Sequence, residues 1–359
     1  MLLISYFYAV KIQRKYISRG IEIASKGLGT TAPNPMVGAV IVHSDKIIGE
    51  GYTSPFGGPH AEVNAINSVR NKDLLKEATL YVTLEPCSHY GKTPPCADLI
   101  VANKIPKVVI GCLDPHKKVS GKGVEKLKAG GSEVVVGALE SECREHHKRF
   151  LMFHEHKRPY VVLKWAETLD GFIAPEKGER PKDPKPIWIT QPYARQLVHQ
   201  WRSEEQAILV GTNTVIQDNP KLDVRNWKGK NPLRVILDKD LKISKACHVL
   251  DLSTPTLILT GDLDPSKQVD GIDYEIIDFS VDLAEQICRV LHRLNITSVL
   301  VEGGAQTLQT FIDANLWDEA RVFTGEVRFL RGIKSPQVTG RLLSSKKVGA
   351  DTLKILRND

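Results

Sequence analysis

Pro59-His60-Ala61-Glu62 and Leu84-Glu85-Pro86-Cys87-Ser88-His89-Tyr90-Gly91-Lys92-Thr93-Pro94-Pro95-Cys96 are the stretches around which this chain is organised. His60, Cys87 and Cys96 offer one imidazole and two thiolates, a soft donor set suited to Zn²⁺. Three protein ligands leave the fourth tetrahedral position open for water, as catalytic rather than structural zinc requires. Glu62 stands two residues after the His, too close to be a comfortable fourth ligand. It is well placed to exchange a proton with that water. A purely structural zinc knuckle would need a fourth ligand and would have no use for Glu62.

The His-x-Glu and Pro-Cys elements together resemble the zinc-deaminase signature, with one departure. Eight residues separate Cys87 from Cys96, where deaminases of nucleic acids have two. A deaminase of tRNA or of free nucleosides predicts the short spacing and a basic, aromatic-rich face. Neither is found in the sequence.

At 359 residues the chain is long for one domain and comfortable for two. Its formal charge of +7 is mild, and no block of five or six Lys/Arg occurs. Anionic small molecules therefore fit better than nucleic acid. Six widely spread cysteines, of which Cys112, Cys143, Cys247 and Cys288 are expected as free thiols, fit a reducing cytoplasm. The apolar patch Leu2–Val10 is too short to span a bilayer. Residues 1–10 are read as an N-terminal extension, 11–157 as a first domain and 158–359 as a second.

An amphipathic helix is expected over Lys11–Lys26, with Ile12, Tyr16, Ile17, Ile21 and Ala24 near one face. The Ala32–Pro35 loop follows, then a hairpin of Val37–Val42 with Ile47–Gly51. Asn34, flanked by prolines, cannot be helical there. His60 falls at a helix start behind Pro59, and that helix runs to about Val69. Strand Thr79–Thr83, helix Cys96–Asn103, strand Lys107–Gly111, helix Gly123–Ala129 and strand Glu133–Val136 complete a three-layer α/β unit. Two helix N-termini aimed at the metal would help hold the cysteines as thiolates. A charged helical stretch, Glu140–Lys157, leads out of it.

The second half restarts with strand Tyr160–Trp165 and Leu169-Asp170-Gly171. A Pro/Lys-rich loop, Pro175–Pro186, precedes Trp188-Ile189-Thr190. Helix Pro192–Ser203, strands Ala207–Gly211, Arg234–Asp238, Thr256–Leu259 and Tyr274–Asp278, helix Asp282–Leu294 and strand Ser298–Glu302 follow in turn. Gly303-Gly304 sits between an apolar strand and a helix, where backbone N–H groups can approach a phosphate. The Gly-x-Gly-x-x-Gly of a standard Rossmann site is absent.

From about Lys11 onward the chain resembles the bifunctional deaminase–reductase family of riboflavin biosynthesis. Pro33–Gly38, Pro59–Ala65, Tyr81–Cys96 and Asp114–Gly123 carry the likeness in the first half. Leu163–Gly171, Trp188–Thr190, Val210–Leu222 and Val301–Gly304 carry it in the second. The resemblance implies a cytidine-deaminase-like three-layer α/β/α domain followed by a dihydrofolate-reductase-like α/β domain. It implies one Zn²⁺ in the first and NADPH in the second, with phosphoribosyl pyrimidines as substrates. The first half would remove the 2-amino group of 2,5-diamino-6-(5-phosphoribosylamino)pyrimidin-4(3H)-one. The second would reduce its ribosyl group, giving 5-amino-6-(5-phosphoribitylamino)uracil.

By position, the likeness gives Glu62 the proton transfers and gives Asn34, His89 and Lys92 the deaminase substrate. It puts NADPH near Ala166, Trp188, Thr214, Asp218, Lys239 and the turn and helix Gly303, Gly304, Ala305, Gln306, Thr307, Leu308, Gln309 and Thr310. The reductase substrate falls near Pro186, Arg202, Leu222, Arg225 and Glu302, with the two arginines suiting a phosphate. Lys164 and Glu302 are the candidates for polarising the reacting sugar. The chain departs from the family at Thr53, where many relatives have His, and in the long loop ending Pro184-Lys185-Pro186. A cytoplasmic homo-oligomer, binding neither nucleic acid nor membrane, is expected.

Overall fold

The computed structural model describes residues 14–90, 94–115, 120–176, 178 and 183–359. The expected extension over 1–10, the start of the first helix, Lys92 and several residues of the 175–186 loop lie outside these. The chain divides into two compact units, with the division between Lys157 and Arg158.

In the first unit, helix α1 (residues 14–24) precedes β1 (Gly38–His43) and β2 (Lys46–Tyr52). Then come α2 (Ala61–Ser68), β3 (Thr79–Leu84), α3 (Cys96–Ala102), β4 (Lys107–Cys112), α4 (Lys122–Ala129) and β5 (Glu133–Val136). The sheet order is β2-β1-β3-β4-β5, antiparallel through β3 and parallel beyond it. Ile41, Leu80, Val82, Val108 and Ile110 are fully buried, as expected of strands covered on both faces. A Cβ at Gly51 would lie 2.5 Å from the Ala61 carbonyl oxygen, so glycine there lets α2 settle onto β2. The charged stretch after β5 forms two helices, α5 (Glu140–His146) and α6 (Lys148–Glu155), broken at His147, rather than one continuous element.

Glu85 fixes the corner that leads from β3 to Cys87. Its buried carboxylate accepts from the backbone N–H groups of Asp114 (3.3 Å), Gly121 (3.0 Å), Gly123 (2.9 Å) and Val124 (3.2 Å). It thus caps α4 from a neighbouring segment and satisfies donors the helix itself cannot.

The second unit contains β6 (Tyr160–Glu167), β7 (Phe172–Ala174), α7 (Pro192–Glu204), β8 (Ala207–Gly211), α8 (Thr212–Asp218) and β9 (Leu233–Leu237). It continues with β10 (Thr256–Thr260), β11 (Asp273–Ile276), α9 (Leu283–Arg293), β12 (Ser298–Gly303), α10 (Ala305–Asp313) and β13 (Glu319–Thr324). It ends with β14 (Ile333–Lys334), β15 (Arg341–Val348) and β16 (Asp351–Arg357). The order β11-β10-β9-β8-β12-β6-β13-β16-β15 is parallel up to β13, and β16 and β15 add antiparallel. The chain winds outward from β8 to β11, then returns to insert β12 between β8 and β6. Ligands of open α/β sheets bind beyond strand C-termini at such a reversal.

Glu85→Gln replaces an acceptor-only group with one that donates on one side. Loss of at least one of the four bonds and an unpaired buried N–H should cost about 2 to 3 kcal/mol. The check is the urea midpoint; an unchanged midpoint would remove Glu85 as the support of this corner.

Candidate active sites

In the first unit three donors converge. His60, extended just before α2, has its Nδ1 3.6 Å from Cys87 Sγ and 3.4 Å from Cys96 Sγ. With Zn–S near 2.3 Å and Zn–N near 2.05 Å, a tetrahedral N···S edge is about 3.5 Å. The residues therefore fit zinc, through His60 Nδ1 and both sulfurs, and all three donor atoms lie within 4.8 Å of one another. The Cys96 N–H, first of α3, donates to Cys87 Sγ at 3.3 Å, and Ala97 N–H donates to the Cys87 carbonyl at 3.1 Å. Those two bonds close the long segment between the cysteines.

The two thiols are hydrogen-bonded to each other. That contact pulls Cys87 down to about 4 and pushes Cys96 up. The hydrogen bond to Cys87 draws the His60 imidazole up. A divalent cation displaces thiol protons when thiolates ligate it. Glu62, 3% exposed, is raised to about 7 by burial and then by the Cys87 charge. It sits beside the cluster, within hydrogen-bonding reach of Cys96.

Asn34 is half-buried in the turn after residue 31, with its N–H donating to the Thr31 carbonyl at 3.0 Å. His89 is exposed on the segment between the cysteines. Thr53, where the chain departs from the family, is 3% exposed, and its Oγ1 accepts from Val37 N–H at 3.0 Å. It buttresses the end of the Asn34 loop from within.

The second unit holds a cavity of about 1040 Å³ at the C-terminal ends of β6, β8, β9 and β12. Of the residues singled out in this half, all but Gln309 line it: Lys164, Ala166, Pro186, Trp188, Arg202, Thr214, Asp218, Leu222, Arg225, Lys239, Glu302, residues 303–308 and Thr310. Gln309 lies elsewhere on α10, where it bonds Asp313 and the Gln337 N–H. Helical periodicity explains the miss, because a contiguous run of residues cannot all face one side. The helix α8, unassigned from the sequence, brings a second N-terminus to the cavity beside that of α10. Gly303, at φ 125, takes a conformation that side chains disfavour, and it turns the chain from β12 into α10.

Arg202 forms a fork on Glu302, with Nε to Oε1 and Nη2 to Oε2 both at 2.8 Å. Lys164 Nζ stands 3.9 Å from the same carboxylate. Burial would push Glu302 up, but Arg202 and Lys164 outweigh it and hold it at about 2. Burial, opposed by Glu302, lowers Lys164. Arg202, expected at a phosphate, thus spends two of its donors on this fork and a third on the Asp223 carbonyl. Trp188 is an exposed wall of the cavity, with the Arg195 guanidinium 4.5 Å over its ring.

The cytidine and deoxycytidylate deaminase zinc-binding region matches residues 10–112, and the RibD C-terminal domain matches residues 159–353. The riboflavin biosynthesis protein RibD of Aquifex aeolicus is 39% identical over 342 residues, spanning 94% of this chain and 91% of that protein. RibD of Escherichia coli is 34% identical over 325 residues, with 86% of each covered. A solved Thermotoga maritima diaminohydroxyphosphoribosylaminopyrimidine deaminase/5-amino-6-(5-phosphoribosylamino)uracil reductase superposes with TM-score 0.88 at 39% identity, covering 97% of this chain and 99% of that one. Acinetobacter baumannii RibD gives 0.87 at 33% identity, with the same coverage. A zinc-binding deaminase half followed by a reductase half, matched in this way from end to end, makes the chain a member of the RibD family of bifunctional riboflavin-biosynthesis enzymes.

Proposed function

We propose that the first unit deaminates 2,5-diamino-6-(5-phosphoribosylamino)pyrimidin-4(3H)-one and that the second reduces the product's ribosyl group with NADPH. The observation that carries the reading is the pairing of a three-donor zinc set beside Glu62 with a large anion-suited cavity in one chain. Bound zinc supplies an acidified water at neutral pH. Glu62, raised to about 7 by burial, would take one water proton at its carboxylate oxygen and pass it to a ring nitrogen. It would then take the second and pass it to the departing amine, which leaves as ammonia. Asn34, His89 and Lys92 would hold the ring and its ribose phosphate.

NADPH supplies a hydride when bound. The N-termini of α8 and α10 suit its phosphates, and Trp188 offers an apolar wall. Arg225 and the free donors of Arg202 suit the substrate phosphate. Lys164 Nζ, easier to deprotonate because it is buried, would donate a proton to the sugar oxygen that gains charge. Glu302, kept ionised by Arg202 and Lys164, would orient that ammonium group.

A cytoplasmic homo-oligomer is the companion reading. All six cysteines are free, and β15 leaves a sheet edge with exposed Leu342 and Leu343. Among the described residues no helix is long and apolar enough to cross a membrane.

Glu62→Gln should keep its zinc by elemental analysis while ammonia release falls about 100- to 10,000-fold; retained release sinks the proton-transfer role. Stripping zinc with a chelator should abolish ammonia release yet leave NADPH oxidation on the deaminated substrate intact. Arg202→Ala frees Glu302 and should slow reduction about 100-fold through misplaced groups. Ammonia release should be untouched, and a loss confined to deamination would contradict the assignment of activities to the two units.

A further inference from the structure

We infer that His199 is a specificity-determining residue of the reductase cavity, its Nε2 accepting a hydrogen bond from a hydroxyl of the substrate's sugar. The inference rests on the reductase reading above. His199 lies on α7 one turn before Arg202, is 4% exposed and lines the cavity. Its Nδ1 is 2.8 Å from the Asp223 carbonyl oxygen. A carbonyl only accepts, so Nδ1 carries the proton and Nε2 of the neutral ring presents a bare lone pair. That nitrogen has no partner among the described residues.

Asp223 fixes the surroundings as well. Its carbonyl also accepts from Arg202 Nη1 at 3.2 Å, and its Oδ1 accepts from Arg225 Nη1 at 2.5 Å. The imidazole and both guanidinium groups are thus held by one residue. Burial, followed by the charges of Arg202 and Arg225, pushes the His199 pKa down and keeps the ring neutral. The ring lines the cavity, so a ligand bound there can donate to this nitrogen. Phosphate oxygens are acceptors and are served by the arginines. The lone pair requires a group that donates, and a ribosyl substrate offers hydroxyls.

The test is steady-state reduction by the purified full chain, with the deaminated phosphoribosyl pyrimidine and NADPH varied separately. His199→Phe, which keeps the ring but removes the acceptor, should raise KM for the sugar phosphate about tenfold and leave KM for NADPH within about twofold. His199→Gln, whose amide oxygen can accept, should recover most of that loss. The unsubstituted enzyme should disfavour a substrate lacking the 2′- or the 3′-hydroxyl about tenfold, a comparison that stands even where a variant folds poorly. The inference is overturned by an unchanged sugar-phosphate KM in a folded His199→Phe protein, by a rise in the NADPH KM alone, or by equal use of both deoxy analogues. Failure of the unsubstituted enzyme to oxidise NADPH at all would instead overturn the reductase reading, and the inference with it.

Discussion

A buried carboxylate at the end of a strand, with every oxygen occupied, is the constraint on which both halves depend. Glu85 holds four backbone N–H groups with no countercharge nearby in its hydrogen-bond set. Glu302 holds the Arg202 fork and faces Lys164. A buried carboxylate is tolerated only when its lone pairs are filled. Each therefore dictates what surrounds it. Around Glu85 that is the β3–Cys87 corner and the start of α4; around Glu302 it is the position of α7 against β12 and β6.

The two carboxylates differ in what they leave available. Glu85 is consumed by structure: its partners are backbone groups that have no other satisfaction. Glu302 is paired with side chains, one of which stands at 3.9 Å and retains donors for a ligand. A low-dielectric pocket in which a carboxylate, a guanidinium and an ammonium face one another is preorganised for charge developing on a substrate oxygen. Glu62 is a third case. It is as buried as Glu85 but faces the thiols rather than satisfied donors, and burial raises its pKa. Kind of partner, rather than burial, separates Glu85, held by backbone donors, from Glu302 and Glu62, which face side chains and are the carboxylates we propose take part in chemistry.

Much of this was legible in the sequence where local chemistry and periodicity agreed. The zinc set was read from residue type and spacing, and the strands of the first unit were bounded to within a residue or two because their apolar runs are uninterrupted. The C-terminal strands escaped notice for an equally physical reason. β15 reads Arg-Leu-Leu-Ser-Ser-Lys-Lys-Val and is mostly exposed on an edge, so it shows no alternation to detect. Helix α8 is two turns long with one buried residue, Val215, too little to generate a helical period. Thr53 and the Arg202–Glu302 fork depend on partners far along the chain, 16 and 100 residues away. Sequence spacing holds no information about such pairs. His199 escaped for the same reason, because its tautomer is set by a carbonyl 24 residues away.

The spacing between Cys87 and Cys96 deserves a different interpretation from the one a metal motif first suggests. Ligand geometry is set locally, by Cys96 N–H on Cys87 Sγ and by Ala97 N–H on the Cys87 carbonyl. Both bonds act at the closure of the segment, so its length can vary without moving the sulfurs. Within the segment His89 is exposed. A helix N-terminus that positions both thiolates leaves metal binding with no requirement for the long spacing. That independence favours our proposal that the segment meets the substrate, while the paired sulfurs and His60 Nδ1 suit the metal.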